Sequence, residues 1–139
     1  MNLGLQGAKV VVADSDRTVL ELLQIRLDIA GYHTCVARNG EAVFETLKLV
    51  RPTAMIIDLH LADLGGFEVL RKLTARGAKL PCPTLVIGRK MSPDDIRMAI
   101  TLGARDCMTK PFSGADVLER VARMLRPPAP VKPRAMAYI

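Results

Sequence analysis

The sequence predicts an α/β protein with a doubly wound, five-stranded parallel sheet and five helices. Short apolar runs alternate with helical patterns from about residue 8 to residue 126 of the 139-residue chain. The first, third and fourth runs, residues 8–13, 54–58 and 83–88, are almost continuously apolar, as expected of strands buried on both faces. Because a helical pattern follows each run, we expect parallel strands with helices on both sides of the sheet.

The first two strand and helix pairs have clear boundary residues. Asp16 or Ser15 is a candidate N-cap for the first helix, and Gly31 is its expected end. The second strand is predicted over residues 33–37, and the second helix over about 41–49. This half of the chain therefore reads strand, helix, strand, helix.

The third and fourth pairs repeat this order. The third strand is followed by a helix predicted over about residues 67–75. After the fourth strand, Ser92 and Pro93 mark a strong helix start, with a cap and a proline at the first helical position. That helix is expected to end at Gly103.

The fifth pair closes the predicted domain. A short strand over 105–109 leads to Ser113, which caps a helix running to about Arg126, where prolines end it. We therefore expect one folded domain over residues 1–126. Residues 127–139 form a proline-rich basic segment, predicted to be an extended C-terminal tail or a linker stub.

Composition excludes several classes of function. No apolar run approaches the roughly 18 residues that cross a bilayer, so no membrane partner and a cytoplasmic location are expected. Cys35, Cys82 and Cys107 are widely spaced, which suggests neither a disulfide framework nor a zinc site. The net charge is +6, but there is no dense basic arm, so direct nucleic-acid binding is not expected.

Three charged residues follow the predicted strands. Asp14, Asp58 and Lys110 each stand at the carboxyl end of a strand, where ligands gather in parallel sheets. From the residues alone the cluster is a structural ion pair, a metal site, or an acid–base or nucleophilic centre. All three alternatives require that the strands end at one edge of the sheet.

Four segments and their spacing resemble a known family. They are VVADSD after the first strand, MIIDLHLADLGGFEVL around the third, LPCPTLVIGRK at the fourth and LGARDCMTKPF at the fifth. Over roughly residues 8–126 the chain resembles a response regulator receiver domain of the CheY-like family, which has a flavodoxin-like fold. The resemblance implies a signalling domain of a two-component system or phosphorelay that acts through protein contacts.

The resemblance also assigns roles to the strand-end residues. It implies that Asp58 accepts a phosphoryl group from a histidine kinase or phosphotransfer protein, and that Lys110 contacts that group. Asp14, Asp58 and the backbone carbonyl of His60 correspond to the ligands of Mg²⁺. The domain is therefore not expected to be an enzyme beyond its own phosphotransfer and dephosphorylation.

Three positions depart from the family pattern. Ser15 replaces the second acidic residue and is a weak ligand, so Mg²⁺ affinity should fall, unless a shifted loop brings Asp16 into its place. Gly88 replaces the switch hydroxyl at the end of the fourth strand, and Cys107 replaces the switch aromatic on the fifth. Cys107 is either a thiolate favoured by nearby Lys110 or, as we prefer, a small apolar filler.

Cationic residues mark a candidate partner face. In this family the fourth helix, fifth strand and fifth helix dock a downstream protein target or form a homodimer. Here that face and the loop before it carry Arg89, Lys90, Arg97, Arg105, Arg120 and Arg123. These side chains either pair with neighbouring acids or bind an external anion.

The external anion defines our alternative hypothesis. In it the protein is a binding module that responds weakly or not at all to phosphorylation. Its cationic face then engages an acidic protein or a nucleotide second messenger. Ser15, Gly88 and Cys107, which replace the second acidic residue, the switch hydroxyl and the switch aromatic, favour this alternative.

Overall fold

The structure is a computed structural model in which residues 7–126 are described. The strands are β1 (Lys9–Ala13), β2 (His33–Ala37), β3 (Ala54–Asp58), β4 (Thr84–Gly88) and β5 (Asp106–Thr109). The helices are α1 (Arg17–Ile29), α2 (Gly40–Leu49), α3 (Gly66–Leu73), α4 (Pro93–Thr101) and α5 (Gly114–Leu125). The tail predicted for residues 127–139 lies outside the described residues.

The five strands form one parallel sheet in the order β2-β1-β3-β4-β5. The chain starts at β1, adds β2 on one side, and then continues through β3, β4 and β5 on the other. The strand order therefore reverses between β1 and β3, which is the place where doubly wound sheets bind their ligands. The predicted fold class is confirmed.

Two apolar cores cover the two faces of the sheet. Side chains alternate along each strand, so that Val10 and Val12 pack with α1 and α5 while Val11 and Ala13 pack with α2, α3 and α4. β3 and β4 are buried along their whole length. This double burial explains the continuous apolar runs of the sequence and leaves the strand ends as the place for charged groups.

The helix caps agree with the sequence, with one choice resolved. Asp16 rather than Ser15 caps α1, because its carboxylate accepts hydrogen bonds from the amides of Thr18 and Val19. Ser92 and Asp95 form a reciprocal capping box at the start of α4.

The end of α3 differs from the prediction. The helix ends at Leu73 rather than about Ala75, and a 3₁₀ turn over Ala75–Gly77 follows. Arg76 in this turn has a φ of 59°, in the left-handed region, which cannot continue a helix. Within residues 7–126 no helix is long and apolar enough to cross a membrane.

Candidate functional site

Three strand ends bring the predicted residues together. Asp14 directly follows β1, Asp58 is the last residue of β3, and Lys110 directly follows β5. The ammonium nitrogen of Lys110 lies 2.6 Å from Asp14 Oδ2 and 3.4 Å from Asp58 Oδ2. The amide of Lys110 donates to the carbonyl of Gly88, so β4 holds the lysine's backbone in place. The geometry expected from the sequence is therefore present.

The cluster is buried. Asp14 and Asp58 are only 1% and 4% exposed, and Lys110 is partly buried between them. Burial raises the pKa of Asp14 above its ordinary value, although hydrogen bonds from Lys110 and from the Asp16 amide oppose the rise. Removing two carboxylates from water is unfavourable, and the lysine offsets part of that cost.

The two oxygens of Asp58 have different surroundings. Oδ2 accepts from Lys110, whereas Oδ1 is buried and has no hydrogen-bond partner within residues 7–126. The exposed imidazole of His60 lies near this oxygen, with its Nδ1 3.9 Å away. A buried acceptor without a partner costs free energy, so Oδ1 is the atom of the cluster whose free energy a bound cation or donor would lower most.

A cavity of about 580 Å³ opens at this end of the sheet. Its lining consists of Asp14, Ser15, Asp16, Asp58, His60, Arg89, Lys90 and Lys110. From the sequence, Arg89 and Lys90 are expected on the partner face. The structure places both beside the strand-end cluster, because the loop after β4 starts at the rim of the cavity.

Ser15 fastens two loops together. Its hydroxyl donates to the carbonyl of Arg38 over 3.1 Å and accepts from the amide of Ala62 over 2.9 Å. The neighbouring Asp16 carboxylate is committed to capping α1. The two side chains expected as possible extra metal ligands are therefore both hydrogen-bonded to the backbone, through the Ser15 hydroxyl and Asp16 Oδ1.

The two carboxylates that remain as possible metal ligands, Asp14 and Asp58, are enough for a Mg²⁺ site. Across the described residues, no group of three or more His, Cys, Asp or Glu side chains is arranged to hold a metal ion. Mg²⁺ often takes only one or two protein carboxylates, and it keeps several waters or binds substrate phosphates. The partnerless Oδ1 of Asp58, with Asp14 beside it, meets this requirement.

Gly66 allows the loop after β3 to close on the site. A Cβ at this position would lie 2.4 Å from the carbonyl oxygen of Asp58 and 2.9 Å from Cα of Leu59. The Gly66 amide also donates to the Leu59 carbonyl over 2.9 Å. The start of α3 therefore rests directly on the backbone of the candidate nucleophile.

The two switch positions lack the expected groups. Gly88 ends β4, and a Cβ there would meet Met91, Leu59 and His60 at 3.4 to 3.7 Å, which are ordinary contacts. Cys107 packs against the core beneath α4. Burial, and then the negative charge of Asp106, raise the pKa of the Cys107 thiol, so a thiolate is not favoured. The apolar-filler interpretation fits the structure better.

Neighbouring acids pair with three arginines of the partner face. Arg97 pairs with Asp94, Arg120 with Asp106, and Arg123 with Glu119. Arg105 instead donates to the carbonyl of Met124 over 3.4 Å. These contacts reduce the positive charge that this face offers to an external anion.

Sequence reasoning missed the role of Asp63. Its carboxylate accepts from the amides of Gly40 and Glu41 at 2.6 and 3.0 Å, so the loop after β3 caps α2. These hydrogen bonds lower the pKa of Asp63 to about 2. Nothing in the sequence signals this contact, because the partners are 23 and 22 residues apart.

The structure defines a class of protein: a doubly wound α/β domain whose strand ends bring two buried acids and a lysine together at one edge of the sheet. A family model, the response regulator receiver domain, matches residues 10–122. The chain belongs to this family, which serves two-component signal transduction.

Curated relatives agree with this assignment. The chain is 36% identical over 118 residues to the alkaline phosphatase synthesis transcriptional regulatory protein PhoP of Bacillus subtilis, covering 85% of this chain and 48% of PhoP. It is 32% identical over 122 residues to the response regulator MprA of Mycolicibacterium vanbaalenii, covering 88% and 52%. The chain thus spans about half the length of the curated relatives it matches.

Solved structures show the same fold. The chemotaxis response regulator CheY4 of Vibrio cholerae superposes with a TM-score of 0.77 at 23% identity, covering 86% of this chain and 99% of CheY4. The Francisella response regulator 1452 receiver domain gives 0.78 at 24% identity, covering 86% and 97%.

Proposed function

We propose that this domain accepts a phosphoryl group on Asp58 and transmits the signal through protein contacts. The observation that carries the proposal is Asp58 Oδ1, a buried carboxylate oxygen without a hydrogen-bond partner in residues 7–126, at a cavity that also holds Lys110. Phosphoryl transfer needs mainly alignment and charge neutralisation from the protein, and both are available at this position.

The chemical step is a displacement at phosphorus. A carboxylate oxygen of Asp58 forms a new P–O bond while the bond from phosphorus to the donor breaks. With a phosphohistidine donor, a P–N bond breaks and the imidazole nitrogen takes the electron pair. The product is an acyl phosphate. No separate general base is required, because the attacking carboxylate carries no proton.

The neighbouring groups support this step. The Lys110 ammonium lies 3.4 Å from Asp58 Oδ2, close enough to shift toward an incoming phosphoryl oxygen. Asp14, Asp58 and the backbone carbonyl of His60 would hold Mg²⁺, with Ser15 contributing little since its hydroxyl bonds backbone groups. When bound, Mg²⁺ neutralises charge on the phosphoryl oxygens.

The partners follow from the chemistry. The donor is a histidine kinase or a phosphotransfer protein, and the recipient of the signal is a downstream protein. The face of α4, β5 and α5 is our candidate for that contact or for a homodimer. Exposed apolar residues on α4, Ile96 and Ile100, supply area for it.

Intact-mass measurement tests the proposal. The protein is incubated with Mg²⁺ and acetyl phosphate, whose P–O bond to the acetyl group breaks with release of acetate. We expect one phosphoryl adduct on the wild type, none on Asp58→Ala, and an unchanged adduct on Asp28→Ala. Asp28 is a suitable control because its exposed carboxylate, near the C-terminal end of α1, accepts a hydrogen bond from the Thr34 hydroxyl of β2 and does not line the cavity.

A second candidate function has one supporting observation. Gly88 and Cys107 provide neither the hydroxyl nor the aromatic ring of the expected switch. If the wild type forms no adduct, a binding module that acts without phosphorylation becomes the better hypothesis. The internal pairing of Arg97, Arg120 and Arg123 weakens the version in which a cationic face binds an external anion.

A further inference from the structure

Arg89 and Lys90 lie at the strand-end site, and neither forms a salt bridge with a carboxylate in residues 7–126. Both are exposed and both line the cavity that holds Asp58. Paired arginines elsewhere on the surface, such as Arg97 and Arg123, already have an acidic neighbour. The charge of Arg89 and Lys90 is therefore available to an anion that enters the cavity.

We propose that Arg89 binds the phosphoryl group and takes the place of the hydroxyl that Gly88 lacks. Its guanidinium contacts the phosphoryl oxygens of the donor and then those of the acyl phosphate on Asp58. This inference rests on the proposed phosphoacceptor function and adds a specific residue to it. It also moves Arg89 from the partner face to the reaction site.

The sheet brings Arg89 to the correct place. β4 lies between β3 and β5, and Ile87 is in register with Asp58. The Gly88 carbonyl accepts from the amide of Lys110 over 2.8 Å. Arg89 is the next residue along the chain, so its backbone begins at the edge of the sheet between the acid and the lysine of the site.

The missing side chain of Gly88 leaves room for the guanidinium. A Cβ at Gly88 would touch Met91, Leu59 and His60 only at ordinary contact distances, so this side of the cavity is not crowded. Arg89 also lines a second cavity, of about 500 Å³, between α1 and the loop after β5. Lys90 is not among the residues that line this second cavity. Arg89 therefore lines both cavities, as Asp16 and Lys110 do, whereas Lys90 lines only the first.

A phosphoryl group brings further negative charge to a site that already holds Asp14 and Asp58. Lys110 and, when bound, Mg²⁺ supply positive charge there, and Arg89 adds hydrogen-bond donors from the β4 side. A guanidinium offers several N–H donors in a planar fork that suits phosphoryl oxygens. Arginine is therefore better adapted than lysine to hold this group.

The contact also has a consequence for signalling. Arg89 begins the loop that leads to Ser92 and α4. A guanidinium that binds the phosphoryl group would hold this loop next to Asp58. A hydroxyl at the end of β4 would connect the phosphoryl group to the same loop. The domain then keeps a connection from Asp58 to α4 even though Gly88 has no side chain.

The time course of adduct formation with acetyl phosphate tests the proposal. We expect Arg89→Gln to form the adduct roughly tenfold more slowly than wild type, the size of one charged hydrogen bond. Arg89→Lys should recover part of the rate, since it restores the charge without the fork. Arg71→Gln, the same change at an exposed arginine on α3 outside the cavity, should stay within about twofold.

Equal rates for Arg89→Gln and Arg71→Gln would overturn the proposal. That result would instead assign Arg89 to the partner face, since a small donor does not use that face. Wild type without any adduct would be a failure of the phosphoacceptor function, and a second measurement then decides the role of Arg89.

That measurement is an NMR titration of the unphosphorylated protein with inorganic phosphate, against sodium chloride of equal ionic strength. We expect phosphate to shift the Arg89 side-chain Nε–H signal and the amides of residues 88–90 in wild type. These amide shifts should be lost in Arg89→Gln. Identical amide shifts in both proteins, or none in wild type, would exclude Arg89 as an anion-binding residue whatever the outcome at Asp58.

Discussion

The ammonium of Lys110 lies closer to Asp14 than to Asp58, at 2.6 Å against 3.4 Å. Its first partner is thus the acid after β1, which is 96 residues away in the chain, rather than the proposed phosphoacceptor. The lysine therefore performs two tasks. It pairs with the buried carboxylate of Asp14, and it contacts Asp58 through Oδ2, while Asp58 Oδ1 has no hydrogen-bond partner within residues 7–126.

Lys110→Met tests the first of these tasks. Methionine has a similar length but no charge, so the variant leaves Asp14 buried without its cation. We expect the free energy of unfolding to fall by about 3 kcal/mol at neutral pH, as measured by urea denaturation. In an Asp14→Asn background the same substitution should cost at least about 1 kcal/mol less. Additive effects of the two changes would mean that the 2.6 Å contact contributes no net stability.

Gly66→Ala tests the contact between α3 and the backbone of Asp58. The added methyl would lie 2.4 Å from the Asp58 carbonyl oxygen, and backbone atoms cannot move aside cheaply. We expect a loss of about 1–3 kcal/mol in the free energy of unfolding, measured by chemical denaturation.

Gly65→Ala is the matched control for that variant. Its Cβ would lie 3.5 Å from the Leu59 carbonyl oxygen, an ordinary contact, and Gly65 has a φ of −62° that alanine adopts freely. The control should retain most of the stability. Equal losses in both variants would indicate a general effect of glycine replacement rather than the specific contact at Gly66.

The sequence predicted the regular elements well because their signals are local. The first and last residues of β2 and β3 were predicted correctly, because turn or cap residues flank each run. The end of α3 was not predicted correctly. There the Thr74 hydroxyl donates to the Leu70 carbonyl, and Arg76 adopts a left-handed backbone conformation. Neither feature has a pattern in the sequence.

The strand-end cluster was predictable for a different reason. Parallel strands place their carboxyl ends at one edge, so a correct fold class brings Asp14, Asp58 and Lys110 together. The positions of Arg89 and Asp63 depend on the paths of loops. Those paths are fixed by contacts between distant residues, such as Asp63 with Gly40, which sequence spacing does not reveal.

Gly88→Thr tests whether the missing hydroxyl limits the response to phosphorylation. The site has room for a Cβ, because its nearest neighbours would lie at 3.4 to 3.7 Å. A hydrogen bond to a charged group contributes about 1.5–3 kcal/mol, which is similar to a typical allosteric coupling. We expect beryllofluoride with Mg²⁺ to produce larger NMR shifts in α4 and β5 of this variant than in wild type.

Gly88→Ala separates the hydroxyl from the added bulk. It supplies the Cβ without a donor, so its beryllofluoride response should remain at the wild-type level. If alanine and threonine enlarge the shifts equally, the cause is the altered packing of Met91 and Leu59, and the hydroxyl plays no part.

The contact between Asp63 and α2 predicts a specific dependence of stability on pH. Hydrogen bonds from the amides of Gly40 and Glu41 lower the pKa of Asp63 from 3.8 to about 2. A lowered pKa in the folded state means that the ionised carboxylate stabilises the fold. This contribution is fully present above the unfolded value of 3.8, and it is lost as the pH falls through that value toward about 2. Asp63→Asn should therefore differ most from wild type near neutral pH and converge with it in acid.

Urea denaturation of wild type and Asp63→Asn at a series of pH values between about 2 and 7 measures this difference. Asn39→Ala is the control, because Asn39 caps the same helix by accepting from the Ala42 amide over 2.8 Å and carries no titrating group. Its cost of about 1 kcal/mol should stay constant across the series. If the Asp63→Asn difference is equally constant, the carboxylate is not held by the amides of α2 in solution, and the loop after β3 is free of that helix.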